Sequence, residues 1–289
     1  KASLAAGSTA NIETESNDTR ATADNLIAGS AIKGQVSSKT DIDYYAFAAT
    51  SAGSISIDFD PTIDSSYSYY KVSLLDSTGT VLASQDVGKD TKFSTGVSSA
   101  GTYYVAVDDS TYHDSGEYSL KASLAAGSTA NIETESNDTL ATADNLVSGS
   151  AIKGQLSSSD DRDVFSITTT SAGILKIDLD TPTNSAYNEY FNVILWDGYN
   201  TIASQSTGQD TSFSAGVSAG TYYVYVDSFT YHSDGEYGLK VTSTEGGISG
   251  VETEDNGSMP TADVLSSGKE IKGQLSSSDD RDVFSITTT

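Results

Sequence analysis

Glu13, Glu15 and Asn17 stand at alternate positions in Ile12–Thr19, I-E-T-E-S-N-D-T, with Asp18 beside them. In an extended segment, side chains two residues apart leave the same face at a spacing of about 7 Å. Such a row of oxygens suits a hard cation, which takes six to eight of them. An acidic linker that stays solvated has the same composition, and at this point both readings stand. The stretch recurs unchanged at Ile132–Thr139, with Glu133, Glu135, Asn137 and Asp138, and altered at Val251–Ser258 as V-E-T-E-D-N-G-S, with Glu252 and Glu254. A D-x-D follows each copy: Asp41 and Asp43, Asp161 and Asp163, Asp280 and Asp282. Asp41 comes 23 residues after Asp18, Asp161 23 after Asp138, and Asp280 23 after Gly257. If each opening packs beside its D-x-D loop, five or six side-chain oxygens meet.

Other residue patterns carry less chemistry. Gly216–Gly220, G-V-S-A-G, matches a nucleophile elbow, but that motif needs a helix after the serine and a strand-like stretch, Thr221–Asp227, follows here. The equivalent Gly96–Gly101 has an extra Ser, so a tight turn is expected at both places. His113 and His232, the only histidines, sit in equivalent T-Y-H loops and read as surface residues. No His pairing offers a zinc site. Asn17, Asn137 and Asn256 fit a glycosylation pattern, yet they are wanted as ligands. Tyr67, Tyr69, Tyr70, Tyr112, Tyr187, Tyr190, Phe229 and Tyr231 form either caps on the core or a rim for a polymer or protein partner.

The elements that must position these residues are strands. Gly53–Phe59 alternates, with Ile55, Ile57 and Phe59 on one face, and Leu175, Ile177 and Leu179 repeat the pattern. Further strands are expected at 31–36, 43–48, 70–75, 81–85, 91–95, 101–108 and 116–124, with a turn or one helical turn at 21–26. About eight short strands with turn signals between them predict an all-β fold, an antiparallel β-sandwich. The pattern returns after about 120 residues, and the one-residue differences fall in loops, near Tyr187, Ile202 and Ser218. The expected organisation is a tail and linker over 1–10, a sandwich over 11–124, a linker over 125–130, a second sandwich over 131–242, a linker over 243–249 and an incomplete copy over 250–289. Lys1–Leu4 reads as the last strand of a preceding repeat, and the missing strands of the third copy are expected outside this stretch, so a longer array is expected.

Composition narrows the partners. Asp and Glu number 40 against 15 Lys and Arg, a net charge of −25, which speaks against nucleic acid and anionic membranes and suits divalent cations. There is no cysteine, so neither a disulfide framework nor a thiolate metal site forms. The longest aliphatic run, V-I-L-W at 193–196, is far too short to span a bilayer as a helix.

Taken together, E-x-E-x-N-D-T, T-A-x-x-L, I-K-G-Q, D-x-D-x-F/Y, A-G-T-Y-Y-V-x-V-D and G-x-Y-x-L make the chain resemble the bacterial pre-peptidase C-terminal domain family, which includes collagen-binding domains of clostridial collagenases. The resemblance covers both full repeats and the third piece. It implies a jelly-roll-like sandwich, secretion, and calcium at the opening. Its ligands would be Glu13, Glu15, Asn17, Asp18, Asp41 and Asp43, then Glu133, Glu135, Asn137, Asp138, Asp161 and Asp163, then Glu252, Glu254, Asp280 and Asp282. The third copy departs at Gly257, where the others have Asp, although Asp255 is near. The expected function is that of a non-enzymatic, calcium-binding tandem segment of a secreted or cell-surface bacterial protein, serving as stalk, adhesin or filament component. The alternative is an array that anchors a secreted peptidase or other hydrolase to its substrate. Neighbouring repeats or like chains, and an extracellular polymer or protein, are the expected partners.

Overall fold

The computed structural model describes residues 11–127, 129, 131–183, 185, 190–248 and 250–288. The expected tail and linker over 1–10, part of the linkers at 125–130 and 243–249, and Tyr187 lie outside the described residues. Among the described residues every regular element is a strand. The chain divides into two compact units, the first running to Glu135 and the second beginning at Ser136.

The first unit holds β1 (Asp24–Leu26), β2 (Ala31–Gly34), β3 (Asp43–Ala49), β4 (Gly53–Pro61), β5 (Tyr70–Leu75), β6 (Val81–Val87), β7 (Thr91–Val97), β8 (Gly101–Asp109) and β9 (Tyr118–Ala126). Five strands make one sheet in the order β1-β3-β8-β5-β6, and four make the other in the order β2-β9-β4-β7. The chain crosses between sheets at nearly every connection, as in a jelly roll. Strict alternation explains the layers: Ile55, Ile57 and Phe59 on β4 are fully buried, while Ser54, Ser56 and Asp58 between them are half-buried. Phe47 of β3, Val72 and Leu74 of β5, Val105 and Val107 of β8 and Leu120 of β9 complete one core. Full burial of a side chain such as Ile57 contributes about 1.5–3 kcal/mol.

The second unit repeats this plan with β10 (Asp144–Asn145), β11 (Ala151–Gly154), β12 (Arg162–Thr169), β13 (Gly173–Asp180), β14 (Phe191–Trp196), β15 (Thr201–Thr207), β16 (Thr211–Val217), β17 (Gly220–Ser228) and β18 (Tyr237–Glu245). Its sheets are β10-β12-β17-β14-β15 and β11-β18-β13-β16. Leu175, Ile177 and Leu179 lie in its core, as expected. The same unit includes the third copy, whose β19 (Asp263–Val264) and β20 (Phe284–Ser285) pair with each other. There Leu275, Phe284 and Ile286 are exposed, whereas their counterparts Leu156, Phe165 and Ile167 are buried.

Two expectations need correction. The stretch at 21–26 is not helical: it turns and then enters β1, which gives each full repeat nine strands rather than eight. Nor is the sandwich wholly antiparallel, because β1 pairs parallel to β3, with Asp24 opposite Tyr45. The intervening β2 belongs to the other sheet, so the chain returns to β3 in the same direction. The G-V-S-A-G stretch ends β16 and begins β17, turning the chain from one sheet to the other, with a strand and not a helix after Ser218.

Candidate metal centre

In the first unit the opening is held against its own sandwich by backbone pairing. Glu13 N–H donates to Lys33 O at 2.9 Å, Lys33 N–H to Asn11 O at 3.0 Å, and Tyr44 N–H to Asn17 O at 3.1 Å. These bonds lay the alternating residues along β2 and beside the D-x-D that starts β3. Carboxylate oxygens of Glu13, Glu15 and Asp43 then lie within 4.8 Å of one another, as do those of Glu15, Asp18 and Asp41. Glu15 belongs to both groups, so the five carboxylates form one cluster. All five were expected from sequence.

Electrostatics show the cost of this cluster. Burial, with repulsion from Glu13, Asp41 and Glu15, pushes the Asp43 carboxyl up to about 8, despite a hydrogen bond from Tyr118. Burial raises Glu13, and burial together with the Asp41 charge raises Glu15. Burial also opposes charge on Asp41, but hydrogen bonds from Ser37 outweigh it and hold that carboxyl below its ordinary value. Ser37 N–H reaches Asp41 Oδ2 at 2.6 Å. Among the described residues none of the five pairs with a Lys or Arg.

The buried polar atoms point the same way. Asn17 is fully buried, yet neither its Oδ1 nor its Nδ2 has a hydrogen-bond partner, and Asp43 Oδ1 is likewise unpartnered. Buried polar atoms are normally satisfied, and each orphan calls for an explanation such as a bound ion. A hard divalent cation fits: every donor is an oxygen, the charge is uncompensated, and the orphaned atoms belong to residues of the expected ligand set.

The second copy is divided between the units, Glu133 and Glu135 being described with the first and Asn137, Asp138, Asp161 and Asp163 with the second. Glu133, Asn137 and Asp163 are buried. Within the second unit Asp161 receives Ser157 N–H at 2.6 Å, and its carboxyl is raised by burial and by Asp138. Asp138, Asp160, Asp161, Arg162 and Asp227 line a polar hollow of about 600 Å³. In the third copy Glu252, Glu254 and Asp282 come within 4.8 Å. Burial raises both glutamates to about 7. Asp280 instead receives Ser276 N–H at 2.6 Å and stands outside that trio, since Gly257 supplies no carboxylate to form a second group around it.

Sequence reasoning missed the residues that support the cluster. Tyr118 on β9 donates to Asp43 Oδ2, Tyr45 donates to Glu13 Oε2 at 2.7 Å, and the two hydroxyls are 2.6 Å apart. Asp24 accepts Thr14 N–H. The signal was present: Tyr118 recurs as Tyr237, which bonds Asp163, and Asp24 recurs as Asp144 and Asp263. His113 lies at 2.7 Å from Asp109, and His232 at 3.1 Å from Ser228. Of the aromatic residues, Tyr70 is buried in the core, whereas Tyr67, Tyr112, Phe229 and Tyr231 are exposed.

No family model matches the chain, and no curated protein matches it. Among solved structures it is similar to the pre-peptidase C-terminal domain of collagenase from Bacillus anthracis, at 26% identity over 35% of this chain and 94% of that one, with a TM-score of 0.28. It is also similar to the CUB1-EGF-CUB2 region of human MASP-1/3, at 8% identity over 74% of this chain and 99% of that one, with a TM-score of 0.27. A third is the CBM22-1-CBM22-2 tandem domain of Xyn10C from Paenibacillus barcinonensis, at 14% identity over 69% and 82%, with a TM-score of 0.24.

Proposed function

We propose that this chain is a calcium-stabilised tandem β-sandwich segment of an extracellular or cell-surface bacterial protein, acting as a stalk, adhesin or filament component. One observation carries the reading: Asn17, which stands in the sequence between the clustered carboxylates Glu15 and Asp18, is fully buried with no hydrogen-bond partner for its side-chain amide. Glu13, Glu15, Asn17, Asp18, Asp41 and Asp43 would hold the ion, and the second copy offers the same residue types at the same spacing. The ion supplies positive charge where five carboxylates meet, so the opening stays docked on its sandwich. Binding to the folded form alone stabilises it by about 2.7 kcal/mol at a hundredfold excess over Kd. Calcium titration by calorimetry, with melting in calcium and in EGTA, tests this. The absence of both heat and a rise in Tm would sink it.

A specific surface favours the anchoring alternative for the second sandwich. Trp196 lies 5.8 Å from Tyr225 and 6.2 Å from Tyr223, and the Arg162 guanidinium sits 5.4 Å above the Tyr225 ring. Arg162, Ile194, Trp196 and Tyr225 line a hollow of about 210 Å³ on the five-stranded sheet. The first sandwich has Ile42, Leu75, Tyr104 and Ala106 at the positions of Arg162, Trp196, Tyr223 and Tyr225, so the repeats are not equivalent there. Such a platform suits a polymer or protein that stacks on aromatic rings. Trp196 is the single tryptophan, so its emission during titration with extracellular polymers reports engagement directly. An unchanged spectrum across collagen, chitin and cellulose would leave the stalk reading alone.

A further inference from the structure

We propose that Gly96 and Gly216 are docking positions through which each sandwich pre-orders the opening segment that follows it, with the candidate cation ligands that this segment carries. The proposal rests on the calcium reading above and extends it to the junctions. The strands that carry these glycines, β7 and β16, are each the last strand of a four-stranded sheet, with one edge free of strand partners within that sheet. The next opening uses that edge. Gly96 N–H donates to Glu133 O at 2.7 Å, and Glu135 N–H donates to Gly96 O at 3.3 Å. In the second unit Gly216 N–H donates to Glu252 O at 3.0 Å, while Glu252 N–H donates to Lys272 O at 2.9 Å. The peptide groups of a candidate ligand are therefore gripped from two sides, by the preceding sandwich and by its own repeat. A second tie joins the same partners, as Ser204 Oγ donates to Ser276 O at 2.8 Å.

Both positions require glycine because of close approach. A Cβ on Gly96 would stand 2.4 Å from Glu133 O, and one on Gly216 would stand 2.6 Å from Glu252 O. The effect of docking is visible in equivalent residues of the three openings, the first two of which have identical local sequence. Glu133 is 1% exposed and Glu252 4%, whereas Glu13 is only half-buried and Ile12 is 57% exposed. A docked opening has already lost its backbone freedom, so less ordering opposes ion binding. This gives the G-V that ends each β7-type strand a role at the junction.

The test uses the full chain as wild type, Gly96→Val, Gly216→Val and, as control, Gly101→Ala, where a Cβ would meet only Tyr103 at 3.9 Å. Calcium affinity is read by calorimetry, and docking by amide exchange at Glu135 and Gly216 in EGTA. The expected result is an affinity lower by about fivefold at one site in each valine variant, the equivalent of one backbone hydrogen bond. Faster amide exchange at that junction should accompany it, with the control unchanged. If valine unfolds a sandwich, Gly96→Ala and Gly216→Ala carry the same comparison with less bulk. Faster exchange with unaltered calcium affinity overturns the coupling alone. A wild type that takes up no calcium overturns the calcium reading and the coupling with it.

Discussion

Tyr118 on the four-stranded sheet donates its phenolic hydrogen to the carboxylate of Asp43 on the five-stranded sheet, across the interior of the first sandwich. Both residues are buried, so the floor of the carboxylate cluster is part of the core. Tyr237 and Asp163 repeat the bond in the second sandwich.

Tyr118→Phe keeps the ring and leaves Asp43 short of a donor. An unsatisfied buried polar group costs about 1–3 kcal/mol. The expected outcome is a lower Tm in EGTA and a smaller loss in calcium, measured by thermal unfolding at pH 7. An equal loss in both conditions would separate Asp43 from the ion.

Asn17→Ala should divide stability from binding. The amide of Asn17 makes no hydrogen bond in the fold, so its removal in EGTA should cost less than the usual 1 kcal/mol or so for a lost bond. Calcium affinity should fall at least tenfold, since a neutral donor leaves the set. Calorimetry and melting of the same variant decide the matter, and a large loss in EGTA without a loss of affinity would make Asn17 purely structural.

The pH dependence follows from the sign of the shifts. Asp43 is raised to about 8, and Glu252 and Glu254 to about 7. A carboxyl raised in the fold holds a proton that the unfolded chain has lost, so its stabilising contribution is complete below the unfolded value near 4 and is lost as pH rises toward the folded value. Without metal, Tm should fall from pH 5 to pH 8 and level off above it. Calcium should flatten or reverse that slope, because the ion favours the charged form. Melting curves across this range with EGTA and with calcium check the prediction.

Ile57→Ala should cost about 2–5 kcal/mol by opening a cavity among fully buried neighbours. Ile27→Ala, at a side chain 56% exposed, should change stability by less than about 0.5 kcal/mol. Urea unfolding of both variants measures the difference. Near-equal midpoints would mean that the alternation on β4 had been read on the wrong face.

The sequence by itself determined what depends on local period. Ile55, Ile57 and Phe59 announce β4 because side chains in a strand alternate strictly, and the same rule singled out Glu13 and Glu15, whose carboxylates meet in the fold. Duplication made the 23-residue spacing from Asp18 to Asp41 legible, since it recurs from Asp138 to Asp161. Only the tertiary structure decided the rest. β1 has three residues, too few for a period to show, and its parallel pairing depends on β2 crossing to the other sheet. Tyr118 reaches Asp43 from 75 residues away, and Gly96 meets Glu133 across a different repeat. Neither partner carries a local mark of the other, because these contacts arise from how sheets stack and where an edge strand lies free, and no periodicity along the chain encodes that.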